Sequence, residues 1–335
     1  MKKETLFIFL LILFVLTCTF NSMAGAPLVI KYAHINNPGM AAYDAAEFMA
    51  ERVKELSNGE MIVEVYPSAQ LGGDRDMVES NKIGTIHINH PNIATLTLSF
   101  PRIGLYVMPF LFKDYYHVKR MAESPVGQEL NKQFEEATGL RMVLYYTEAP
   151  RGLFTNKGPV YEPEDIKGKK IRIMESELYR DMFGALGAGG LPTPLPYTEV
   201  YTALATNLIE YADPPIDAYV AQKFYEVAKY FSLLDHVTGF KAVTVNAKWF
   251  DGLTKEQQDI LLQAFKETEK YQNDLSDAEQ QAVLDWATSN GVRVNFVNKK
   301  AFQEAMAPVY DKWIEKLGKD FATKFIETAN ELANP

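Results

Sequence analysis

Residues 29–67 read VIKYAHINNPGMAAYDAAEFMAERVKELSNGEMIVEVYP, and the change of period inside this stretch decides the fold class. Val29 to Ala33 reads as a strand. From Ala41 to Leu56, the apolar residues Ala45, Phe48, Met49, Val53 and Leu56 recur at three- and four-residue spacing, the pattern of an amphipathic helix. Asn58-Gly59 ends that helix, because both residues tolerate a left-handed backbone. Met61 to Tyr66 then alternates like a strand and stops at Pro67. A strand, a helix and a second strand in this order point to an α/β protein.

The same grammar continues outward. Gln128 to Ala137 reads as helix with Gly139 as its cap, followed by a strand from Leu140 to Tyr146. Lys170 to Met174 reads as strand, and Glu177 to Leu186 as a helix ended by Gly187. Thr254 and Gln257 form a capping box that opens a helix running past Trp286. No internal repeat or low-complexity tract interrupts the series. The expected architecture has a parallel or mixed sheet in each of two lobes, with ligands held at the strands' carboxyl ends.

Composition narrows the class. Lys2 and Lys3, an apolar run from Leu6 to Leu16, and small residues at Ser22, Ala24 and Ala26 form a signal-peptide pattern over residues 1–24. The apolar run falls short of the roughly 20 residues a membrane-spanning helix needs. Cleavage is expected near Ala24 or Ala26. Cys18, the only cysteine, would leave with the leader, which suits an oxidising compartment. A lipid anchor at Cys18 is disfavoured because Thr17 precedes it. Loss of the leader takes the net charge from −9 to −10. That balance argues against nucleic acid, whose binding needs clustered cations, while leaving room for local cations in a pocket. The rest of the 335-residue chain is long enough for two cores.

No constellation calls for catalysis. His87-Ile88-Asn89-His90 lacks the helical spacing of a zinc pair, and Leu71-Gly72-Gly73-Asp74 is not followed by a phosphate loop. There is no GxSxG elbow. Two arginines stand out instead. Arg151 follows Glu148-Ala149-Pro150. Arg172 alternates with Ile171 and Ile173, a placement that ordinarily marks a solvated residue on an exposed edge. The competing reading is chemical, since a guanidinium can hold a carboxylate through two parallel hydrogen bonds.

An ordered series of motifs resembles the periplasmic receptors of tripartite ATP-independent periplasmic (TRAP) transporters, of the dicarboxylate-receptor type. Pro67-Ser68-Ala69-Gln70-Leu71-Gly72 opens it, followed by Pro109-Phe110-Leu111-Phe112 and by the run from Pro163 to Arg172. Thr193-Pro194-Leu195-Pro196, Glu199 to Leu204 and Phe224-Tyr225-Glu226-Val227 complete it. The resemblance implies two α/β lobes that close on a ligand in a central cleft. The first lobe is expected over residues 27–148 and about 237–276. The second is expected over 149–236 and about 277–335. By position in these motifs, Arg172 corresponds to the arginine that clamps the ligand carboxylate, and Arg151 to a second cleft arginine. Asp213 and Pro214 fall where ligand or metal contacts occur. His34 and Asn36 belong to the contacts made by the opposite lobe. Tyr146 and Glu148 complete the expected ligand-binding set.

The family segment T-G-x-x-D-G-x-E-N-P appears here as Thr206 to Pro215, with Pro214 in place of a polar amide. Proline offers neither a side-chain hydrogen bond nor an N–H, so the sequence favours a monocarboxylate with an apolar or aromatic body. Tyr32, Tyr145, Tyr146, Tyr179, Tyr211 and Phe154 are the residues available to pack on such a body. No cofactor and no metal are expected, Asp213 being the one candidate metal ligand. The expected partners are a small organic acid and the TRAP membrane subunits, with the receptor a periplasmic monomer and not an enzyme. The alternatives are a receptor for a sensor kinase or another importer, and a secreted enzyme.

Overall fold

A computed structural model describes residues 26–187 and 193–333. The leader, Cys18 and Ala24 lie outside the described residues. Among the described residues, eleven strands form two main sheets and a short pair. The first sheet contains β1 (Leu28–Ala33), β2 (Met61–Tyr66), β3 (Ile88–Asn89), β4 (Leu140–Thr147) and β10 (Phe240–Asn246), in the order β2-β1-β3-β10-β4. β1 is parallel to β2 and β3, with Leu28 opposite Met61 and Ala33 opposite Tyr66. β10 runs antiparallel to both its neighbours, which makes the sheet mixed.

The helix Ala41–Leu56 crosses this sheet as its period requires. Ala45, Met49 and Val53 are buried against it, where each large side chain removed from water contributes about 1.5–3 kcal/mol. Phe48 faces aside and stacks on Tyr271 at 4.3 Å. Asn58 and Gly59 end the helix with φ of 50° and 84°.

The second sheet contains β5 (Gly152–Thr155), β8 (Tyr211–Ala212), β9 (Tyr230–Leu233) and β11 (Arg293–Phe296), in the order β11-β9-β5-β8. A parallel pair, β6 (Arg172–Ile173) and β7 (Thr193–Pro194), joins it through a bridge between Ile171 and Tyr211.

Three connections cross between the lobes ahead of the C-terminal helices, and a fourth joins those helices at Gly318. One runs from β4 into β5 through Glu148 and Arg151, and another returns from β9 into β10. They are tied by Glu148 N–H to Gly239 O at 3.0 Å and Asp235 N–H to Arg151 O at 2.8 Å. Gly239 permits this approach, since a Cβ there would lie 2.8 Å from Cβ of Glu148 and 3.0 Å from the carbonyl of Ala149. The third is the 35-residue helix Lys255–Ser289, opened by the expected Thr254–Gln257 capping box. At about 1.5 Å per residue it is long enough to span both lobes. Leu261, Ala264 and Phe265 pack in the first core, Ala287 in the second. Between them Gln272 and Asn273 accept from the Thr147 N–H, both at 3.0 Å, and Gln272 donates to Thr147 O at 2.8 Å.

The C-terminal segment departs from the expected division. The helix Lys299–Leu317 packs on the second-lobe helix Glu177–Ala185, and Trp313 Nε1 donates to Asp181 at 2.7 Å. The helix Lys319–Glu331 returns to the first lobe, against Tyr115–Glu123 and Pro125–Thr138. Phe325 meets the Tyr106 ring there at 5.3 Å, and Ala329 O lies 2.6 Å from His117 Nε2. Its stripe of Ala322, Phe325 and Ala329 enters a core cluster that draws on both lobes, while its helix contacts are with first-lobe helices. Adjacency in sequence to a second-lobe helix gave no sign of this.

Candidate functional site

Between the lobes lies a cavity of about 570 Å³. The lobes touch at its rim, where Thr97 Oγ1 is 3.1 Å from Ser176 Oγ and Arg75 is 3.9 Å from Glu175. The second lobe contributes Arg172, Leu195, Tyr197, Pro214 and Pro215. The first contributes Asn36, Asp74, Asn92 and Lys241, and the crossing segment supplies Glu148 and Arg151.

Arg172 is positioned by alternation. Ile171 and Ile173 are fully buried on the second-lobe side, which sends Arg172 to the cavity. It is not the solvated edge residue its surroundings suggested, for only 4 % of it is exposed. Nε and Nη2 donate to the carbonyl of Leu195 at 3.1 and 2.9 Å. Nη1 is 4.0 Å from Asp213 Oδ1. Arg151, 3 % exposed, donates from Nη2 to Asp213 Oδ2 at 3.2 Å. Two buried guanidiniums therefore share one carboxylate. Burial opposes the charge on Arg172, with the field of Asp213 partly compensating and Arg151 adding to the opposition, and its pKa falls below the usual arginine value. His236 Nε2 is 3.5 Å from Asp213 Oδ2. Burial lowers its pKa to about 4 despite that carboxylate, so the imidazole is neutral.

The first-lobe wall is built differently. Lys241, 3 % exposed, is the one charged residue of β10. Its Nζ donates to Asn36 Oδ1 at 2.9 Å and lies 3.3 Å from Glu148 Oε1. Glu148 Oε2 is buried and accepts no hydrogen bond from the protein. Asp74 opens the helix Asp74–Lys82. Its Oδ2 accepts from the Asn92 N–H at 3.3 Å, while Oδ1 is buried without a partner. Burial pushes this carboxyl up to about 6, against the pull of Lys241.

Of the eight expected ligand-binding residues, Arg172, Arg151, Pro214, Asn36 and Glu148 line the cavity. Asp213, His34 and Tyr146 lie behind its wall. Asp213 is fully buried as the counter-ion of the arginines. Among the described residues no group of three or more His, Cys, Asp or Glu is placed to hold a metal ion, and a cation at Asp213 would meet two guanidiniums. His34 stacks on His90 at 4.6 Å, its Nδ1 accepting from the Asn36 N–H at 3.2 Å. Tyr146 points into the first lobe, its hydroxyl 3.2 Å from that of Tyr32. None of the six aromatics proposed to cradle an apolar body lines the cavity, and Tyr197 is the aromatic that does. Lys241, Asn92 and Tyr197 were missed. For Lys241 a signal existed, a lone charge in the apolar run Phe240-Lys241-Ala242-Val243.

Residues 32–317 match the model of bacterial extracellular solute-binding protein family 7, DctP. The chain belongs to this family. It is 27 % identical over 310 residues to the sialic acid-binding periplasmic protein SiaP of Vibrio cholerae, covering 92 % of this chain and 96 % of that one. A TRAP periplasmic solute-binding protein of Roseobacter denitrificans with bound β-D-glucuronate superposes with a TM-score of 0.84 at 27 % identity, over 89 % of this chain and 98 % of that one. Another from Sulfurospirillum deleyianum, with bound succinate, gives 0.83 at 30 % identity, over 90 % and 99 %. The family-7 chain described here is thus a TRAP-type solute-binding receptor with the two-lobed α/β fold.

Proposed function

We propose that this receptor captures a small hydroxylated monocarboxylate outside the cytoplasm, passes it to TRAP membrane subunits as a monomer, and does no chemistry on it. The carrying observation is the contrast between a doubly cationic second-lobe wall and a mixed first-lobe wall. Arg172 and Arg151 share only Asp213, so a ligand carboxylate supplies the missing negative charge, in a closed site where water no longer screens the pair. Opposite, Asn36 and Lys241 supply N–H donors while the carboxyl groups of Glu148 and Asp74 supply acceptors to the lining. A hydroxyl satisfies both kinds. A second carboxylate only accepts, and would face two acidic side chains.

The apolar or aromatic body favoured by Pro214 gives way to a hydroxylated one, because aromatics are nearly absent from the wall. Relatives that bind sialic acid and β-D-glucuronate are in keeping with this reading, and the succinate receptor supplies the contrasting ligand. The leader motif supports export with processing near Ala24 or Ala26, checked by the intact mass of the mature protein.

The deciding experiment is calorimetry and thermal denaturation with β-D-glucuronate, D-galactonate and succinate. A ligand specific to the folded state at 100 times its Kd stabilises by about 2.7 kcal/mol. The hydroxylated acids should do so and be recovered unchanged. Tighter binding of succinate would overturn the ligand class, and turnover would overturn the receptor role.

A further inference from the structure

We propose that Tyr32 and His90, neither of which lines the cavity, are positioning residues for ligand selection: they fix the direction in which the Asn36 carboxamide and the Lys241 ammonium face the ligand. This rests on the hydroxylated-acid reading above.

The direction follows from chemistry alone. An ammonium only donates, so the Asn36 atom 2.9 Å from Lys241 Nζ is the carboxamide oxygen. The same oxygen is 2.7 Å from His90 Nε2. An amide oxygen only accepts, so Nε2 carries the proton. A neutral ring then has its lone pair at Nδ1, which lies 2.6 Å from the Tyr32 hydroxyl and accepts from it. The Tyr32 oxygen is left to accept from Tyr146 at 3.2 Å. Burial, with His34 and Lys241 nearby, lowers the His90 pKa well below its ordinary value and keeps the ring neutral.

This chain reaches the cavity as a fixed pattern. With its oxygen doubly occupied, Asn36 has its NH₂ against nothing stronger than the Met40 sulfur, 3.4 Å away, and both residues line the cavity. Lys241 spends one N–H on Asn36 and forms an ion pair with Glu148 Oε1 at 3.3 Å, leaving N–H capacity for a ligand oxygen. Without the Tyr32 donor, the proton on His90 is free to move to Nδ1. Nε2 then becomes an acceptor, and the carboxamide loses the reason to keep its NH₂ toward the ligand.

The test uses Y32F, H90L and H90Q in the full receptor, with β-D-glucuronate and its hydroxyl-free analogue tetrahydropyran-2-carboxylate as probes. Y32F and H90L should lower the preference for β-D-glucuronate over the analogue by about tenfold, a change at the upper end of one ordinary hydrogen bond. H90Q, which can still donate to Asn36 and accept from Tyr32, should restore most of it. Ring ¹⁵N shifts of ligand-free wild type should show His90 protonated at Nε2, with Y32F shifting the population toward Nδ1. An Nδ1–H ring in the wild type, or an unchanged preference in both Y32F and H90L, would overturn the proposal. If the wild type bound neither acid, the hydroxylated-acid reading would fall, while the nitrogen shifts would still decide the relay.

Discussion

The two walls of the cavity bury similar charges and arrange them oppositely. In the second lobe the carboxylate of Asp213 sits behind the arginines, fully buried and out of reach of a ligand. In the first-lobe wall the counter-ion of Lys241 is Glu148, which lines the cavity itself. A counter-ion behind the wall holds the cations in place and leaves their charge to be answered from the cavity. A counter-ion in the wall cancels the charge and leaves a surface of mixed donors and acceptors. On the function proposed above, one wall would recognise an anion and the other a neutral polar body.

The sharpest way to break this contrast is to remove the hidden counter-ion. D213N leaves two buried guanidiniums facing each other, and urea unfolding should show a loss of about 3–5 kcal/mol, as for other broken buried pairs. A carboxylate ligand should restore more stability to D213N than it adds to the wild type. An undiminished unfolding midpoint would show that Asp213 does not compensate the arginines.

Removing the proposed clamp comes next. R172A should weaken carboxylate binding by about 2–5 kcal/mol in calorimetry. Affinity within twofold of wild type would remove Arg172 from the clamp.

On the opposite wall K241M should cost less, about 1.5–3 kcal/mol for a hydroxylated acid, the range for hydrogen bonds to a charged group. If K241M proved as damaging as R172A, the distinction between anion wall and neutral wall would fail.

The smallest effect is expected at Asp74. Its folded pKa of about 6 lies above the ordinary aspartate value of 3.8, so between these values the unfolded chain holds fewer protons than the folded one. Stability then falls as pH rises through this window. Lys241 and Arg172 moderate the shift and Glu148 adds to it. Melting curves from pH 4 to 7 should show the wild type losing a few degrees relative to D74N. Parallel curves would mean Asp74 is ionised throughout.

Legibility in the sequence followed the range of the forces. The helix Ala41–Leu56, the strand Met61–Tyr66 and the capping box at Thr254 formed where expected, because hydrophobic period and capping act within a few residues. Arg172 was legible as a chemical group and not as a buried one, since its partners Leu195 and Asp213 are brought beside it only by the fold. The aromatics misled for the same reason. Tyr32, Tyr146 and Phe154 are close in sequence to cleft residues, yet a strand's alternation turns them into the cores.

By itself the sequence determined the α/β elements, the family series that runs through Arg172, and an acidic chain whose few inward cations stand out. Only the tertiary structure decided which of those charges face the cavity. Tyr32 meets His90 across 58 residues and Lys241 meets Asn36 across 205. Hydrogen bonds of this kind exist only once β1, β3 and β10 lie side by side in the first sheet. No local pattern encodes them, because the energy that selects them is the cost of burying a polar group without a partner.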